Sequence, residues 1–538
     1  MIKIDGNSLT IKNVIAVCRN DEQVELADSA VDKIIKSRKF VEKILKENKT
    51  VYGINTGFGE LANTFISAED SAKLQENLVR SHSVGVGEPL PEDVVRGIML
   101  LRANALAKGH SGVRKELIEF LIALLNKKVY PYIPSQGSVG ASGDLAPLSH
   151  LALVITGEGE CLERSATAAN DVTERDSSQK KSSGENKIST DNNIEGGKRL
   201  PAHQVLKEKG LKPVKLLAKE GLGLINGTQV MAAIGCLVTE DADLLLKNAQ
   251  VAGSMSLEAL KGTARAFDEK IHALRPYPGQ VRIAANIRKL IEGSGIIASH
   301  VNCDKVQDAY TLRCMAQVLG AIADTIDYSR NILTIEINSA TDNPLIFPDE
   351  EEVISGGNFH GEPLAFIMDY MSIAISEIAS ISERTIDRMV NPHVSGLPPF
   401  LSNKSGLNSG FMIAQYTAAA LVSENKVLAH PSSVDSIPTS AGQEDHVSMG
   451  LIAARNAADI VKNVQQVMAI EMMCAAQGID YHEFAPGAGT DAAHRVIRRH
   501  IEPLDEDRIL YKDMAKVREL VVSGTIVKAV EEVIGSLE

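Results

Sequence analysis

The sequence predicts a mainly α-helical protein built around a bundle of long helices. Aromatic residues make up only 4% of the chain and tryptophan is absent, whereas alanine, leucine and isoleucine are abundant. This composition favours helices packed through small aliphatic side chains over strand-rich sandwiches. In addition, long segments with helical spacing of apolar residues follow one another in the second half of the chain. These segments are 227–260, 305–329, 363–389, 408–428 and 445–476.

The first part of the chain is patterned less regularly. Alternating apolar residues predict a short pair of strands, and a glycine-rich stretch, YGINTGFG, predicts a loop. Helical spacing then returns, and a segment rich in Gly, Ser and Pro predicts an irregular loop held between helices. In chain order these elements are strands at 2–4 and 9–11, a loop at 52–59, helices at 92–108 and 112–126, and a loop at 131–147.

One segment, 161–199, is of low complexity and dominated by Ser, Asn, Asp, Lys, Glu and Gly. Such a composition cannot bury enough apolar surface to offset the entropy of ordering, so we expect an exposed, mobile insertion. The sequence therefore divides into an N-terminal domain (1–210, including the insertion), a central long-helix domain (211–494) and a C-terminal helical cap (495–538).

Composition and charge exclude several classes of function. The 538 residues carry a formal net charge of -13, which disfavours nucleic acid as a partner because both would be negative. The six cysteines lack CxxC spacing, and the histidines lack metal-ligand spacing, so we expect neither disulfides nor a bound metal. We see no signal pattern and no apolar run long enough for a membrane span, so a cytoplasmic protein is expected.

The segment GSVGASGDLAPLS at 137–149 has a more specific sequence than a simple linker requires. Ala141, Ser142 and Gly143 place a small residue, a dehydratable hydroxyl and an unhindered glycine nitrogen in order. A tight bend would let the Gly143 amide attack the Ala141 carbonyl. Loss of two waters then gives 4-methylidene-imidazol-5-one (MIO), and Asp144 could move protons.

GSVGASGDLAPLSH resembles the signature of the aromatic amino-acid ammonia-lyase family, whose members build MIO from this Ala-Ser-Gly. Further family motifs occur in order over nearly the whole chain except the insertion. They are YGINTGFG at 52–59, INGTQ at 225–229, VQDAYTLRC at 306–314, SATDNPLIF at 339–347, SGGNFHGEP at 355–363 and SENKVLAHPSSVDSIPTSAGQEDHVSM at 423–449.

The resemblance implies a fumarase/aspartase-like bundle of long helices with an N-terminal MIO-bearing domain. It also implies a homotetramer whose active sites are assembled from loops of three subunits. MIO is the self-formed electrophile, and neither a metal nor an external cofactor is expected. Helix N-termini near MIO would stabilise negative charge that develops during the reaction.

The resemblance also assigns residues to the reaction. Tyr52 matches the family's catalytic base, which requires a depressed pKa from nearby positive potential. Tyr310 matches the second essential tyrosine. If helical, Gln307, Tyr310 and Arg313 lie along one face, and the planar fork of Arg313 suits a substrate carboxylate.

Three further residues match family positions that surround the cofactor and the substrate. Asn226 and Asn343 match residues that hydrogen-bond the MIO oxygen or the substrate carboxylate, and Phe359 matches one that packs beside MIO. Asparagine caps and buried phenylalanines are common structural features, so these positions also have an ordinary structural explanation.

His82 and Glu444 bear on the choice of substrate. Ser81-His82 and Gln443-Glu444-Asp445 resemble the family's histidine-specific members, although tyrosine-specific members can also carry a histidine at the first position. Physically, an imidazole can pair one nitrogen with a carboxylate, whereas a phenyl ring would leave a buried carboxylate unpaired. Glu444 could instead be a first-turn acid that complements the dipole of a helix starting near Asp445.

The expected activity is therefore removal of ammonia from L-histidine to give trans-urocanate, the first step of histidine degradation. A tyrosine or phenylalanine lyase and a 2,3-aminomutase that uses the same cofactor remain alternatives, as does an inert helical scaffold. The chain departs from the family's pattern at Ser83, Ala316 and Gly442. The last of these lies beside Glu444 and puts the geometry of the ring pocket in doubt.

Overall fold

A computed structural model describes residues 1–47, 49–57, 59, 64–67, 70–163, 198–301 and 306–538. Of these described residues, 61% are helical, which confirms the predicted mainly α class. The helices, named in chain order, are α1 Ile11–Asn20, α2 Asp28–Lys46, α3 Ser71–His82, α4 Glu92–Ala107, α5 Lys115–Asn126, α6 Leu145–Thr156, α7 Ala202–Glu208, α8 Glu220–Ile225, α9 Gln229–Ala259, α10 Glu269–Ala273, α11 Pro278–Leu290, α12 Gly295–Ala298, α13 Tyr310–Arg313, α14 Met315–Glu336, α15 Glu362–Val390, α16 Pro392–Ser395, α17 Met412–Leu428, α18 Gly450–Asp480, α19 Ala488–His500, α20 Leu510–Val522 and α21 Thr525–Ile534.

The strands are short and pair in twos. β1 pairs with β2 in parallel, and the pairs β3 with β4, β5 with β6, and β7 with β8 are antiparallel. Their bounds are β1 Ile2–Ile4, β2 Val24–Leu26, β3 Val86–Pro89, β4 Pro134–Gln136, β5 Glu160–Leu162, β6 Arg199–Pro201, β7 Leu345–Phe347 and β8 Glu352–Ile354.

The predicted strand at 9–11 is wrong, because a helix cap forms there instead. The Thr10 hydroxyl accepts a hydrogen bond from the Asn13 N–H at 3.2 Å, and the Asn13 side chain accepts one from the Thr10 N–H at 3.1 Å. This reciprocal capping box starts α1 at Ile11. β1 pairs with residues beyond α1, at Val24–Leu26.

The long helices occur where the apolar spacing predicts them, but several begin later. The segment predicted at 445–476 is α18, which starts at Gly450 after Met449, whose φ is +55°. The segment predicted at 305–329 is divided into α13 and α14, because Cys314 interrupts the helix. Apolar periodicity finds the buried face and carries no information about local backbone geometry at the ends.

The predicted insertion at 161–199 lies mostly outside the described residues. Its two described ends form strands, with Cys161 opposite Leu200 and Leu162 opposite Arg199. The expectation of an exposed, mobile segment is therefore wrong for these ends. Composition does not reveal this short β-pairing, because each strand pairs with residues on the other side of the insertion.

By its internal contacts, the described chain forms two compact units. The first comprises 1–233, 334–362 and 435–451, and the second comprises 234–333, 363–434 and 452–538. The first contains an apolar cluster of Val41, Ile44, Ile54 and Ile346. The three-domain division at 210 and 494 stays a prediction.

Among the described residues, one helix, α15, is long and apolar enough to cross a membrane by length and composition alone. However, 61% of its most apolar window is buried inside the protein. A core helix of a globular protein passes the same test. The helix therefore carries no argument for a membrane.

Glu471 on α18 is fully enclosed in the second unit, where the Ser256 hydroxyl donates to its Oε1 at 2.9 Å. Burial raises the pKa of the Glu471 carboxyl to about 7 from its ordinary value near 4.5. The folded state therefore favours the protonated acid. The contribution of this carboxyl to the free energy of unfolding is therefore fully present below pH 4.5 and is lost as the pH rises through about 7.

We expect Glu471→Gln to stabilise the protein at pH 8 by about 3 kcal/mol and to leave its stability at pH 4.5 nearly unchanged. The neutral amide keeps an acceptor for Ser256 and has no charge to bury. Denaturant unfolding at both pH values measures this difference. Glu532→Gln, at an exposed position, is the control. An equal effect of Glu471→Gln at both pH values would contradict the assignment.

Candidate active site

The Ala141-Ser142-Gly143 segment forms a turn directly before α6. Gly143 has a φ of +70°, and a Cβ placed on it would lie 2.2 Å from the Gly227 carbonyl oxygen. The Asp144 N–H donates to that same oxygen at 2.7 Å. Only glycine fits such a bend, and this is the conformational requirement predicted for ring closure.

Asp144 connects the turn to the start of α9. Its Oδ2 accepts hydrogen bonds from the Val230 and Met231 N–H groups, both at 3.0 Å. Burial raises the pKa of this carboxyl to about 7, although the backbone hydrogen bonds oppose the shift. The N-termini of α6 and α9 both lie at the turn, which agrees with the positive helix ends expected beside it.

Asn226 joins the turn to Asn343. In the amide orientation that satisfies its neighbours, the Asn226 side chain donates to the Ser142 carbonyl at 2.9 Å and accepts from the Asn343 N–H at 3.0 Å. The Asn343 side chain in turn accepts from the Gly356 N–H at 2.8 Å. Asn226 and Asn343 are therefore held at the turn by contacts between distant parts of the chain.

A cavity of about 580 Å³ opens onto this turn within the first unit. Eight of the predicted site residues line it, and the structure thus brings them together. They are Tyr52, His82, Ala141, Ser142, Asn226, Asn343, Phe359 and Glu444. Gly143, the third residue of the turn, is buried.

The surroundings of Tyr52 shift its pKa in the direction opposite to the one expected. Burial is the largest cause and raises the pKa of the Tyr52 phenol. A hydrogen bond with the Gly59 backbone opposes this shift, and the nearby Glu444 carboxylate adds a smaller increase. The expectation of a depressed pKa for Tyr52 is therefore wrong for the single chain. The charged neighbour found beside Tyr52 is an acid rather than a cation.

His82 and Glu444 face the same cavity. Burial lowers the pKa of the His82 imidazole, and Glu444 opposes this shift. The Glu444 carboxylate accepts a hydrogen bond from the Thr439 hydroxyl at 2.7 Å. Glu444 precedes α18 by a loop, so the alternative of a first-turn helix acid is wrong. Gly442 in this loop has a φ of +88°, which suits glycine.

Gln307, Tyr310 and Arg313 do not line this cavity. They line a second cavity of about 800 Å³ in the second unit. There the Arg313 guanidinium lies 4.8 Å from the centroid of the Tyr310 ring and donates to the Gln307 side chain. Gln307 precedes the helix, so the prediction of one continuous helical face is wrong. Tyr310 is 72% exposed in the single chain.

Sequence reasoning did not assign His360, Gln443 and His446, which also line the first cavity. The rings of His360 and His446 lie 5.7 Å apart, and the His446 Nδ1 lies 3.2 Å from the Ser436 hydroxyl. Both histidines lie in the family motifs at 355–363 and 423–449, and this position could have identified them as candidate site residues. Among the described residues, no group of three or more His, Cys, Asp or Glu side chains is arranged to hold a metal ion.

The chain is similar to known proteins over nearly its whole length. A sequence model described as "Aromatic amino acid lyase" matches residues 9–499. The chain is 51% identical over 534 residues to a histidine ammonia-lyase of Alkaliphilus oremlandii (strain OhILAs), with 99% of both proteins covered.

Solved structures are also similar. The crystal structure of histidine ammonia-lyase from Trypanosoma cruzi matches with a TM-score of 0.86 and 42% identity, over 99% of this chain and 95% of the other. Tyrosine aminomutase from Streptomyces globisporus matches with a TM-score of 0.90 and 36% identity, over 100% of both chains. From the match to residues 9–499 and these full-length similarities, the chain belongs to the aromatic amino acid lyase family.

Proposed function

We propose that the protein is an ammonia-lyase that converts L-histidine to trans-urocanate and ammonia. The observation that carries this proposal is the cavity in which the Ala141-Ser142-Gly143 turn faces both His82 and Glu444. The turn suits the formation of an electrophile. The imidazole and the carboxylate suit a substrate side chain with two ring nitrogens.

The chain's own residues can form the MIO group. The Gly143 nitrogen bonds to the Ala141 carbonyl carbon, and that oxygen leaves as water with the amide hydrogens of Ser142 and Gly143. Ser142 then loses its hydroxyl and its Cα hydrogen as a second water, which leaves an exocyclic methylidene. The positive φ of Gly143 and the absence of room for a Cβ support this assignment.

When present, MIO supplies an electrophilic carbon to which a substrate amine can add, so that the amine becomes a good leaving group. Asn226 would hold the turn through the Ser142 carbonyl, and Phe359 would pack beside it. Tyr52 would remove the substrate's β-proton. Because its pKa is raised in the single chain, the activity should increase with pH as the phenolate form becomes populated.

His82 and Glu444 would select the substrate side chain. The Glu444 carboxylate would accept a hydrogen bond from one imidazole nitrogen, and His82 would offer a hydrogen-bonding group to the other. A phenyl ring would leave the half-buried carboxylate without that donor, which costs free energy.

We also propose a homotetramer in the cytoplasm, in which Tyr310, Arg313 and Gln307 of other subunits complete each site. Arg313 would bind the substrate carboxylate through its planar fork, and Tyr310 would help position the amine. Large apolar side chains on long helices of the second unit are exposed in the single chain, which supports association. Examples are Tyr328 at 52%, Tyr370 at 45% and Tyr416 at 60% exposure.

The test is the near-ultraviolet spectrum of the purified protein over time with L-histidine, L-tyrosine and L-phenylalanine supplied separately. We expect the band of urocanate to grow with histidine, because elimination creates a conjugated acrylate. Growth with tyrosine or phenylalanine alone would overturn the assignment of histidine. No growth with any of the three would favour an aminomutase or an inert scaffold instead.

A further inference from the structure

Two arginines on α4, Arg96 and Arg102, are almost completely buried, at 1% and 0% exposure. A buried guanidinium is costly unless its donors are used. Arg96 donates from its Nε to the Val17 carbonyl at 2.8 Å and forms an ion pair with Asp21 at 3.3 Å. Arg102 instead reaches toward the candidate active site.

Arg102 holds a short turn that begins at Asn226. Its Nη1 donates to the Asn226 carbonyl at 2.8 Å and to the Gln229 Oε1 at 2.7 Å. The Gln229 side-chain amide donates to the Thr341 hydroxyl at 2.7 Å. One guanidinium nitrogen therefore fixes both ends of the segment 226–229 and, through Gln229, the segment that leads to Asn343.

The segment 226–229 is the surface against which the candidate MIO-forming turn is bent. Gly143 bridges to Gly227, whose carbonyl accepts from the Asp144 N–H at 2.7 Å. A Cβ on Gly227 would lie 2.6 Å from the Arg102 Nη1, so the guanidinium leaves no room for a side chain at this position. The Asn226 side chain donates to the Ser142 carbonyl from the same segment.

Arg102 is poorly placed for a role in stability alone. Within the described part of the chain, its Nε and Nη2 have no hydrogen-bond partner. The nearby carboxylate of Asp342 is already bonded to the Lys219 ammonium at 2.6 Å. Burial lowers the pKa of Arg102 to about 10, so the guanidinium keeps its charge at neutral pH.

We infer that Arg102 is a positioning residue for ring closure. It holds the segment 226–229 so that the Ala141-Ser142-Gly143 turn is pressed into the bend that loses two waters. The inference rests on the proposed function, and Arg102 itself does not line the cavity that would receive the substrate.

The test compares Arg102→Met with Arg96→Met. Both changes remove a buried guanidinium from the same helix, and both leave a backbone carbonyl without its donor. Each variant is purified as the folded full-length chain. Intact mass then gives the fraction that has lost two waters, thermal unfolding gives the stability, and histidine kinetics give kcat and KM.

We expect Arg102→Met to leave at least ten times more chain without the water loss than Arg96→Met at a comparable loss of stability. Its kcat per total chain should fall in proportion to the cyclised fraction, with KM unchanged within twofold. Full cyclisation of Arg102→Met, or an equal loss in both variants, would overturn the inference.

If Arg102→Met does not fold, Arg102→Gln takes its place under the same criterion, because it removes the charge and shortens the reach but keeps a buried donor. Failure of the proposed function would look different. If the turn forms no MIO, the unaltered chain itself shows no loss of water, and if only the substrate is wrong, the unaltered chain loses two waters but does not turn over histidine.

Discussion

Replacing Ser142 with alanine should abolish the loss of two waters from the chain and lower histidine turnover more than a thousandfold, about 4 kcal/mol of barrier. Alanine has no hydroxyl to eliminate, so the exocyclic methylidene cannot form. The fold should survive, because Ser142 is held in the turn through its backbone carbonyl by Asn226 rather than through its hydroxyl.

Intact mass and the urocanate band measure the two effects separately. Ser149→Ala is the matched control, since Ser149 lies on α6 a short way beyond the turn. Its hydroxyl bonds to the Leu145 carbonyl of its own helix, at 2.7 Å. This control should keep both the water loss and the activity. Water loss that persists in Ser142→Ala would disprove the assignment of MIO to this turn.

The sequence predicts the parts of the site that depend on residue type. Ala141-Ser142-Gly143 is recognisable because the chemistry needs a dehydratable hydroxyl followed by glycine. Tyr52, His82 and Glu444 fall in motifs far apart in sequence, yet all line one cavity. Long-helix periodicity likewise predicts the bundle, because the spacing of apolar residues reports which face is buried.

The remaining features depend on contacts that the sequence does not encode locally. Arg102 looks like an ordinary helix residue, and its role emerges only from a bond to the carbonyl of Asn226, 124 residues away. The raised pKa of Tyr52 results mainly from burial, with a smaller contribution from Glu444. The helix at Ile11 depends on the orientation of two side chains, which a strand-like alternation of apolar residues does not reveal.

Glu444→Gln should lower kcat/KM for histidine about a hundredfold, about 3 kcal/mol, with little change in the stability of the fold. The amide keeps a neutral acceptor for the Thr439 hydroxyl but removes the charge that would stabilise the substrate imidazole. Phenylalanine should be affected far less, because its ring offers no hydrogen-bond donor to the carboxylate.

The same change should also move the pH dependence. Glu444 raises the pKa of Tyr52, so its removal lowers that pKa and shifts the ascending limb of the pH profile to lower pH. Asp435→Asn, a loss of charge earlier in the same loop and outside the cavity lining, is the control and should move neither quantity. If Glu444 had only a structural role, Glu444→Gln would lower the thermal stability and leave the ascending limb of the pH profile unchanged. A shifted limb together with a selective loss of histidine turnover requires the carboxylate to act on both Tyr52 and the substrate ring.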